Sequence, residues 1–529
     1  MKRITLTLIA IAILGLSSCK NVLDIVPKDS TAPESYYNNE IELQTALSGV
    51  YSTFIKGGTY LNNLGRMGLD ADEAYNWREQ NHIGDYFTSP GDTKVLSFWR
   101  EYYAGIERAN KLLANIDKNV AIPQAKRDIV RGEALFLRGY FYFQLVSNFG
   151  GVPLVLKSIE TSDASELQLP RTPAKQVYEQ IISDMTTASE LVQDISTIGN
   201  GGRVNKSAAY GMLARVCLYM AGNPVNDKTK YAEAKRWAEK VISNPVHKLN
   251  SSYQQVFVNY ANDKYDIGES LLEVEFYGNG SGLYANLGGF IGMANGIQCT
   301  DVNVGYAYAY LLGTAYAYNS FANADLRRDW AIAPFSYTTT TTGGNTVTTK
   351  SNWATNRLFN RNVGKFRRES ETSTSKTIIR SSQNFPLLRL ADVLLMFAEA
   401  DNEINNAPTA EAYDAINRVR RRGYGFDQNT PNTTCDLSNL NYLTFKEQIQ
   451  SERTRELAFE NMRKHDLVRW GIFVAKIKSS LADAKLATSF TGLLRALATY
   501  ENAAERDVLW PIPSYEIGVN PKLTQNTGY

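Results

Sequence analysis

The sequence predicts a mainly α-helical protein in which pairs of helices surround an irregular, partly β segment. Three observations support this prediction. Apolar residues recur at helical spacing, helical segments follow one another in pairs, and residues from about 251 to 385 lack that spacing. The chain has 529 residues, of which 43% are hydrophobic and 21% charged, a composition that is typical of a large folded protein.

The N-terminus has the pattern of a secretory signal. A positive start at Lys2 precedes an apolar run from Ile4 to Leu16, which is too short to span a bilayer. The run ends in Leu-Ser-Ser-Cys at Cys19, which resembles a bacterial lipobox. That resemblance implies cleavage before Cys19 and acylation of this cysteine. We therefore expect a lipoprotein signal peptide over 1–18 and a lipidated tether over 19–40.

Charge and cysteine content exclude several classes of protein. The net charge is +2 without a long Lys/Arg run, so neither nucleic acid nor an anionic membrane surface is predicted as a partner. Beyond Cys19 the chain has Cys217, Cys299 and Cys435, an odd number that cannot all pair. Cys217 lies in an apolar helical pattern and is predicted to be a buried thiol. No metal site or cofactor is indicated, and the use of a calcium ion is left open.

The helical segments form three predicted pairs. One helix of the first pair, Asp128–Phe149, has two apolar stripes and should pack on both sides. Helix pairs of this kind resemble tetratricopeptide hairpins, which need stacked neighbours to bury both faces. The pairs are Val95–Ile116 with Asp128–Phe149, Lys206–Ala221 with a helix beginning at Tyr231, and Pro386–Asn402 with Ala410–Arg422.

The middle segment differs from the helical regions. Threonine runs flank Gly343 and Gly344, which predicts a β-hairpin. Tyrosines alternate with other residues between Tyr306 and Tyr310, which fits either a binding surface or one half-buried strand. We therefore divide the chain into an N-terminal helical region at 41–250, a loop-rich and β-hairpin binding region at 251–385, and a C-terminal region at 386–529.

Several ordered sequence strings resemble the SusD/RagB family of Bacteroidetes outer-membrane proteins. They cover nearly the whole chain after the lipobox, and although each alone is weak, their order is specific. The strings are GEALFLRGYFYF at 132–143, NFGGVPL at 148–154, PLLRLADVLLMFAEA at 386–400, AINRVR at 415–420, ERTRELAFENMRKHDLVRWG at 452–471, LWPIP at 509–513, and NP and QNTGY near the end.

The resemblance implies a SusD-like helical scaffold with tetratricopeptide-like pairs and an irregular ligand-binding face. It also implies a surface-exposed, lipid-anchored protein of the outer membrane that captures glycan oligomers. Such a protein delivers them to a SusC-like TonB-dependent barrel during polysaccharide utilisation. The alternative within the same fold is a receptor for peptides or protein fragments, as on the RagB side of the family. Neither role is that of an enzyme.

Candidate ligand contacts are aromatic residues with polar neighbours, because aromatic rings stack on sugar faces while amides and Arg bind hydroxyls. The segment around Trp77 has this composition, although Trp77 could instead pack beneath a surface loop. The family's binding residues vary, so only the region is carried over. The predicted contacts are Tyr75, Trp77, Arg78, Asn81, Tyr284, Tyr306, Tyr310 and Trp353.

Two acidic clusters could supply reactive groups. Glu452, Glu456 and Glu460 lie one helical turn apart and could act as an acid–base pair. Pairing with nearby Arg and Lys side chains is the favoured interpretation. Asp70, Asp72 and Glu73 could contact sugar hydroxyls, but capping of a helix is favoured. The sequence has no GxSxG, Walker, HExxH or dinucleotide-binding motif, so catalysis is not predicted.

Overall fold

The computed structural model describes residues 36–62, 71–78, 83–161, 163–277, 288–372, 376, 380–487 and 492–529. Within these ranges the chain forms nineteen α-helices and six strands. The fold is mainly α, as predicted. Among the described residues, no helix combines the length and the apolar character needed to cross a membrane.

The helices are α1 (Glu40–Tyr51), α2 (Thr93–Asn115), α3 (Gln124–Phe149), α4 (Ala164–Leu167), α5 (Ala174–Leu191), α6 (Ile195–Ile198), α7 (Lys206–Ala221), α8 (Lys230–Ile242), α9 (Tyr253–Ala261), α10 (Ile291–Asn295), α11 (Ala315–Asn319), α12 (Arg328–Ala331), α13 (Leu390–Asn405), α14 (Ala410–Gly423), α15 (Tyr442–Leu457), α16 (Arg463–Arg469), α17 (Phe473–Leu486), α18 (Leu493–Asn502) and α19 (Ser514–Val519). The strands are β1 (Ala74–Asn76), β2 (Ser270–Val274), β3 (Leu311–Gly313), β4 (Phe335–Thr342), β5 (Asn345–Asn352) and β6 (Phe385–Arg389).

Helix α3 is the centre of the N-terminal helical stack. Helices α1, α2 and α5 pack against it, so the prediction of a helix covered on both sides is confirmed. Gly132 allows the end of α5 to approach closely, because a Cβ there would lie 2.8 Å from a methyl carbon of Val192. The buried ion pair between Arg138 and Asp184 (2.7 Å) joins α3 to α5.

The other two predicted helix pairs are also present. Helix α7 has the predicted bounds and packs on α8, while α13 packs on both α8 and α14. The side chain of Asn205 caps α7 by accepting from the backbone N–H of Ala208 (2.9 Å). Cys217 on α7 is a free, buried thiol, as predicted, and burial raises its pKa. Cys299 and Cys435 are likewise free and buried.

The predicted start of a helix at Pro386 is wrong. Residues Phe385–Arg389 form strand β6, which pairs antiparallel with β2, and the helix begins at Leu390. Proline restricts the preceding residue to extended conformations, which favours a strand here. The strand is buried along its whole length, and a continuous apolar run does not distinguish a buried strand from a helix.

The predicted threonine-rich hairpin is confirmed. Strands β4 and β5 pair in register from Phe335 opposite Asn352 to Thr342 opposite Asn345. Gly343 and Gly344 form the two-residue turn with positive φ angles of 60° and 82°. These angles match a type I′ turn, whose twist suits a hairpin.

Candidate ligand-binding site

The end of β1 brings Trp77 against a tyrosine segment from the middle of the chain. Strand β1 pairs antiparallel with β3, so Trp77 follows β1 at the point where Tyr310 precedes β3. The backbone N–H of Trp77 donates to the Tyr310 carbonyl oxygen (3.2 Å), and its indole Nε1–H donates to the Ala309 carbonyl oxygen (2.6 Å). These two bonds fix the orientation of a half-buried indole ring.

The tyrosine segment exposes every second side chain. Tyr306, Tyr308 and Tyr310 are half-buried, whereas Ala307 and Ala309 between them are buried. The ring centroids of Tyr306 and Tyr308 lie 5.2 Å apart, and those of Tyr308 and Tyr310 lie 5.9 Å apart. The alternation therefore produces one aromatic face, although a regular strand is not formed.

The segment keeps an irregular backbone because α10 anchors it. The N–H groups of Tyr308 and Ala309 both donate to the carbonyl oxygen of Met293, at 2.9 and 3.2 Å. The N–H of Tyr310 donates to the carbonyl oxygen of Ala294 (2.7 Å). Ala309 has a φ of 53°, a left-handed conformation that interrupts an extended strand.

Arg78 adds the exposed cation of this surface. Its guanidinium carbon lies 4.7 Å from the centre of the Trp77 ring, within the range of a cation–π contact. Burial raises the pKa of Tyr306, with a further increase from Tyr308, while the positive charge of Arg78 acts in the opposite direction. We define the aromatic patch as the five residues Trp77, Arg78, Tyr306, Tyr308 and Tyr310.

A glycine from the C-terminal region packs against Trp77 and Tyr75. Gly492 precedes α18 with a φ of 81°, and a Cβ there would lie 2.8 Å from the Trp77 Cβ. The same Cβ would lie 3.1 Å from a ring carbon of Tyr75. The absence of a side chain at Gly492 therefore determines how closely the C-terminal region approaches Trp77.

Only some of the predicted contacts lie together. Trp77, Arg78, Tyr306 and Tyr310 lie together in the aromatic patch. Tyr75 does not lie at the surface, because its ring is fully buried and its hydroxyl donates to the Phe359 carbonyl oxygen (2.6 Å). We therefore assign Tyr75 a supporting role. Asn81, Tyr284 and the lipidation residue Cys19 lie outside the described residues.

Trp353 lies at the base of the hairpin. Its backbone N–H donates to the carbonyl oxygen of Pro334 (2.9 Å), and its side chain is half-buried. Its indole Nε1 is buried without a hydrogen-bond partner among the described residues. The backbone hydrogen bond joins the residue before β4 to the residue after β5.

Sequence reasoning omitted Tyr308 and Gly492 from the site. The alternating tyrosines indicated Tyr308, since its side chain had to share a face with Tyr306 and Tyr310. Gly492 gave no such signal, because its contact with Trp77 joins residues that are far apart in the chain.

The glutamates of α15 and the turn after it are structural, as favoured from the sequence. Glu452 pairs with Arg327 (2.6 Å), Glu456 with Arg422 (2.6 Å), and Glu460 with both Lys365 (2.6 Å) and Arg389 (2.7 Å). All of these side chains are almost completely buried. Several partners come from distant segments, whereas the sequence interpretation considered only the neighbouring Arg and Lys residues.

The electrostatics of this cluster oppose a general-acid role. Burial alone would raise the pKa of Glu456, but the charges of Arg422, Arg389 and Arg327 together lower it. A carboxylate held ionised by several Arg side chains does not supply protons near neutral pH. We define the buried ion network as Arg327, Lys365, Arg389, Arg422, Glu269, Glu452, Glu456 and Glu460.

The prediction that Asp72 and Glu73 cap a helix is wrong, and Asp70 lies outside the described residues. Asp72 forms a buried two-pronged ion pair with Arg463, at 2.7 Å for each contact. Glu73 accepts from the backbone N–H of Phe459 (2.8 Å), and burial raises its pKa to about 8. These residues join the start of β1 to the C-terminal region.

Two family profiles match this chain. One is described as the SusD family and matches residues 293–529, and the other is described as starch-binding associating with outer membrane and matches residues 23–218. The chain belongs to the SusD/RagB family. Its membership confirms the resemblance inferred from the ordered sequence strings.

Full-length relatives agree with this assignment. A SusD-like protein of Formosa agariphila is 26% identical, over 97% of this chain and 97% of that protein. The starch-binding protein SusD of Bacteroides thetaiotaomicron is 23% identical, over 99% of this chain and 98% of that protein. A crystal structure of a SusD homologue from Bacteroides thetaiotaomicron is 29% identical, with a TM-score of 0.85, and covers 94% of this chain and 98% of that chain. The SusD-like scaffold therefore extends over almost the whole molecule.

Proposed function

We propose that this SusD/RagB-family protein captures glycan oligomers at the cell surface and is not an enzyme. The aromatic patch is the observation that carries the proposal. It combines a tryptophan held by one backbone and one indole hydrogen bond, three neighbouring phenol rings and an exposed guanidinium. Aromatic faces stack on the C–H faces of sugar rings, while phenol and guanidinium groups hydrogen-bond to sugar hydroxyls.

The shape of the patch favours a chain of sugars over an isolated ring. Tyr306, Tyr308 and Tyr310 provide rings at successive centroid separations of 5.2 and 5.9 Å, with interplanar angles of 80° and 44°. Because the rings are not coplanar, a curved oligomer could contact them in turn more readily than a flat, straight polymer. The patch combines Tyr306 to Tyr310 from the predicted binding region at 251–385 with Trp77 from the region at 41–250.

The proposal includes an anchor and a transport partner. Acylation at Cys19 would hold the protein at the outer membrane, and a SusC-like TonB-dependent barrel would receive the glycan. The description of one matching family as associating with the outer membrane supports the location. The starch-binding relative supports a glycan as the ligand class.

The proposal is tested by measuring binding of the purified protein to amylopectin, laminarin and a peptide panel, by affinity electrophoresis and calorimetry. We expect Trp77→Ala to weaken binding to the preferred glycan about tenfold, since a stacked aromatic contributes roughly 0.5 to 1.5 kcal/mol in addition to the effect of the area that it buries. Tyr515→Ala is the matched control. Like Trp77, Tyr515 has an arginine over its ring, with the guanidinium carbon of Arg100 4.1 Å from the ring centre, but Tyr515 is exposed and lies outside the patch.

Each other result would change the proposal in a defined way. Binding of peptides but not glycans would identify the protein as a RagB-like peptide receptor. Glycan binding that is unaffected by Trp77→Ala would remove the aromatic patch from the site. Release of reducing sugar by the purified protein, lost on Glu452→Gln, would contradict the non-enzymatic role.

A further inference from the structure

A cleft with a volume of about 330 Å³ lies on the N-terminal helical stack and shares no residue with the aromatic patch. Its walls come from three segments that are distant in the chain. These are α1 with the turn that follows it, the loop before α7, and the end of β2. The lining residues used below are Gln44, Leu47, Ser48, Tyr51, Phe54, Ile55, Gly202, Arg203, Val274 and Glu275, and we call this space the α1 cleft.

The floor of the α1 cleft is apolar and partly aromatic. Leu47 and Phe54 are buried there, and Tyr51 and Ile55 are half-buried beside them. The ring centroids of Tyr51 and Phe54 lie 6.4 Å apart. A ligand that covers this floor must therefore have an apolar face.

The rim of the α1 cleft has fixed hydrogen-bonding groups. Glu133 is almost completely buried and pairs with Arg203 (2.6 Å), and the hydroxyl of Tyr51 donates to the same carboxylate (2.5 Å). Arg203 also donates to the side-chain oxygen of Gln44 (3.1 Å). Although Arg203 is bound to both Glu133 and Gln44, 43% of its side chain is exposed. A ligand can therefore reach a guanidinium whose orientation is already fixed.

Gly202 and Glu275 are in contact where the loop before α7 meets the end of β2. A Cβ on Gly202 would lie 2.2 Å from the carboxyl carbon of Glu275, so Glu275 packs directly against the backbone there. Glu275 is exposed and accepts from the hydroxyl of Tyr265 (2.5 Å). Glu275 and Arg203 both line the cleft, so the cleft offers a carboxylate acceptor and a guanidinium donor.

We propose that the α1 cleft is a second carbohydrate site, which takes one or two sugar rings. A sugar has an apolar C–H face for Tyr51 and Ile55, and hydroxyls that can donate to Glu275 and accept from Arg203. An anion is disfavoured because Arg203 is already paired with Glu133, and Glu275 adds a second carboxylate. The cleft volume lies in the range of small-molecule sites. The inference does not depend on binding at the aromatic patch.

The test uses methyl NMR of the purified full-length protein titrated with maltose, laminaribiose and lactose. Methyl groups of Leu47, Ile55 and Val274 report on the α1 cleft alone. We expect at least one disaccharide to shift these signals saturably. Ser48→Trp should reduce that affinity at least about tenfold by filling the entrance. Thr45→Trp places the same ring on an exposed position of α1 outside the cleft and should leave binding unchanged.

The outcomes separate this site from the aromatic patch. Cleft shifts that persist in Trp77→Ala and disappear in Ser48→Trp would support the inference, even if no glycan bound the patch. If Ser48→Trp did not fold, Gln44→Ala should still weaken the cleft shifts several-fold. The inference is overturned if none of the three sugars moves the cleft methyl signals, or if Ser48→Trp and Thr45→Trp weaken them equally.

Discussion

At the scale of single residues, Trp77 depends on neighbours that make no contact with the proposed ligand. Its ring is oriented by a hydrogen bond to the Ala309 carbonyl oxygen. Gly492 packs against Trp77 so closely that there is no room for a side chain on the glycine. Such supporting residues affect ligand binding through the position of Trp77 alone. Their effects can therefore be separated from those of the residues that the ligand touches.

We predict that Gly492→Ala weakens both folding and glycan binding. The new Cβ would meet the Trp77 Cβ at 2.8 Å in a backbone with a φ of 81°, so the strain cannot be relieved without moving Trp77. A loss of about 1 to 3 kcal/mol in the free energy of unfolding is expected, measured by urea denaturation. Gly343→Ala has a positive φ but open space around its Cβ, and it should leave glycan affinity unchanged.

Glu73 should make stability depend on pH. Burial raises its pKa from 4.5 to about 8, and its Oε2 has no hydrogen-bond partner among the described residues. Between these two pKa values the folded state binds the proton more tightly than the unfolded state. Stability should therefore fall as pH rises through this window and level off above about 8.

Replacing Glu73 with Gln removes this titration. Wild-type stability should fall by as much as about 5 kcal/mol across the window, since each pKa unit corresponds to about 1.4 kcal/mol, and this fall should be absent in Glu73→Gln. Urea denaturation across the window measures the change. Glu239→Gln, at an exposed carboxylate, is the control and should retain the wild-type pH profile. An unchanged profile in Glu73→Gln would mean that Glu73 is not the group responsible.

At the scale of elements, sequence periodicity predicted those structures whose partners are close in the chain. Helix α7 has its predicted bounds, and the β4–β5 hairpin is joined by two glycines. Strands β1 and β3 are only three residues each and pair across more than two hundred residues, so no local pattern indicates them. The predicted helix at β6 is wrong for a related reason, because its partner β2 lies more than one hundred residues away and the apolar run alone does not distinguish a buried strand from a helix.

We predict that the hairpin opens independently of the helical stack. Gly344→Val places a β-branched residue at a φ of 82°, which should destabilise the turn by about 1 kcal/mol or more. Hydrogen exchange at β5 amides should become faster, whereas exchange at α13 should not change. Faster exchange in both elements would show that the hairpin is coupled to the core.

At the scale of the whole molecule, the buried ion network joins segments that the sequence separates widely. Arg389 of β6 contacts Glu269 (2.9 Å), Glu456 (2.9 Å) and Glu460 (2.7 Å). The sequence shows that these charged residues are present, but only the three-dimensional structure shows which of them form ion pairs. The same limit applies to the aromatic patch, where the sequence identified Trp77 and the tyrosines separately but gave no measure of their distance.

Replacing one member of the buried ion network should lower the free energy of unfolding. Arg389→Met would leave buried carboxylates without a partner, and a loss of about 3 to 5 kcal/mol in the free energy of unfolding is expected. The shift of the urea midpoint measures it. Lys126→Met breaks the exposed pair with Glu40 and should change stability by less than about 1 kcal/mol. Equal effects of the two substitutions would contradict the proposed importance of the network.

The separation of the aromatic patch from the buried ion network has an evolutionary consequence. No residue of the patch belongs to the network that joins the core segments, so mutations of Tyr306, Tyr308 or Tyr310 would leave the ion pairs of that network intact. Natural selection could then change the range of glycans that the protein is proposed to bind by replacing single aromatic residues. New ligand preferences could arise on this architecture without compensating mutations in its interior.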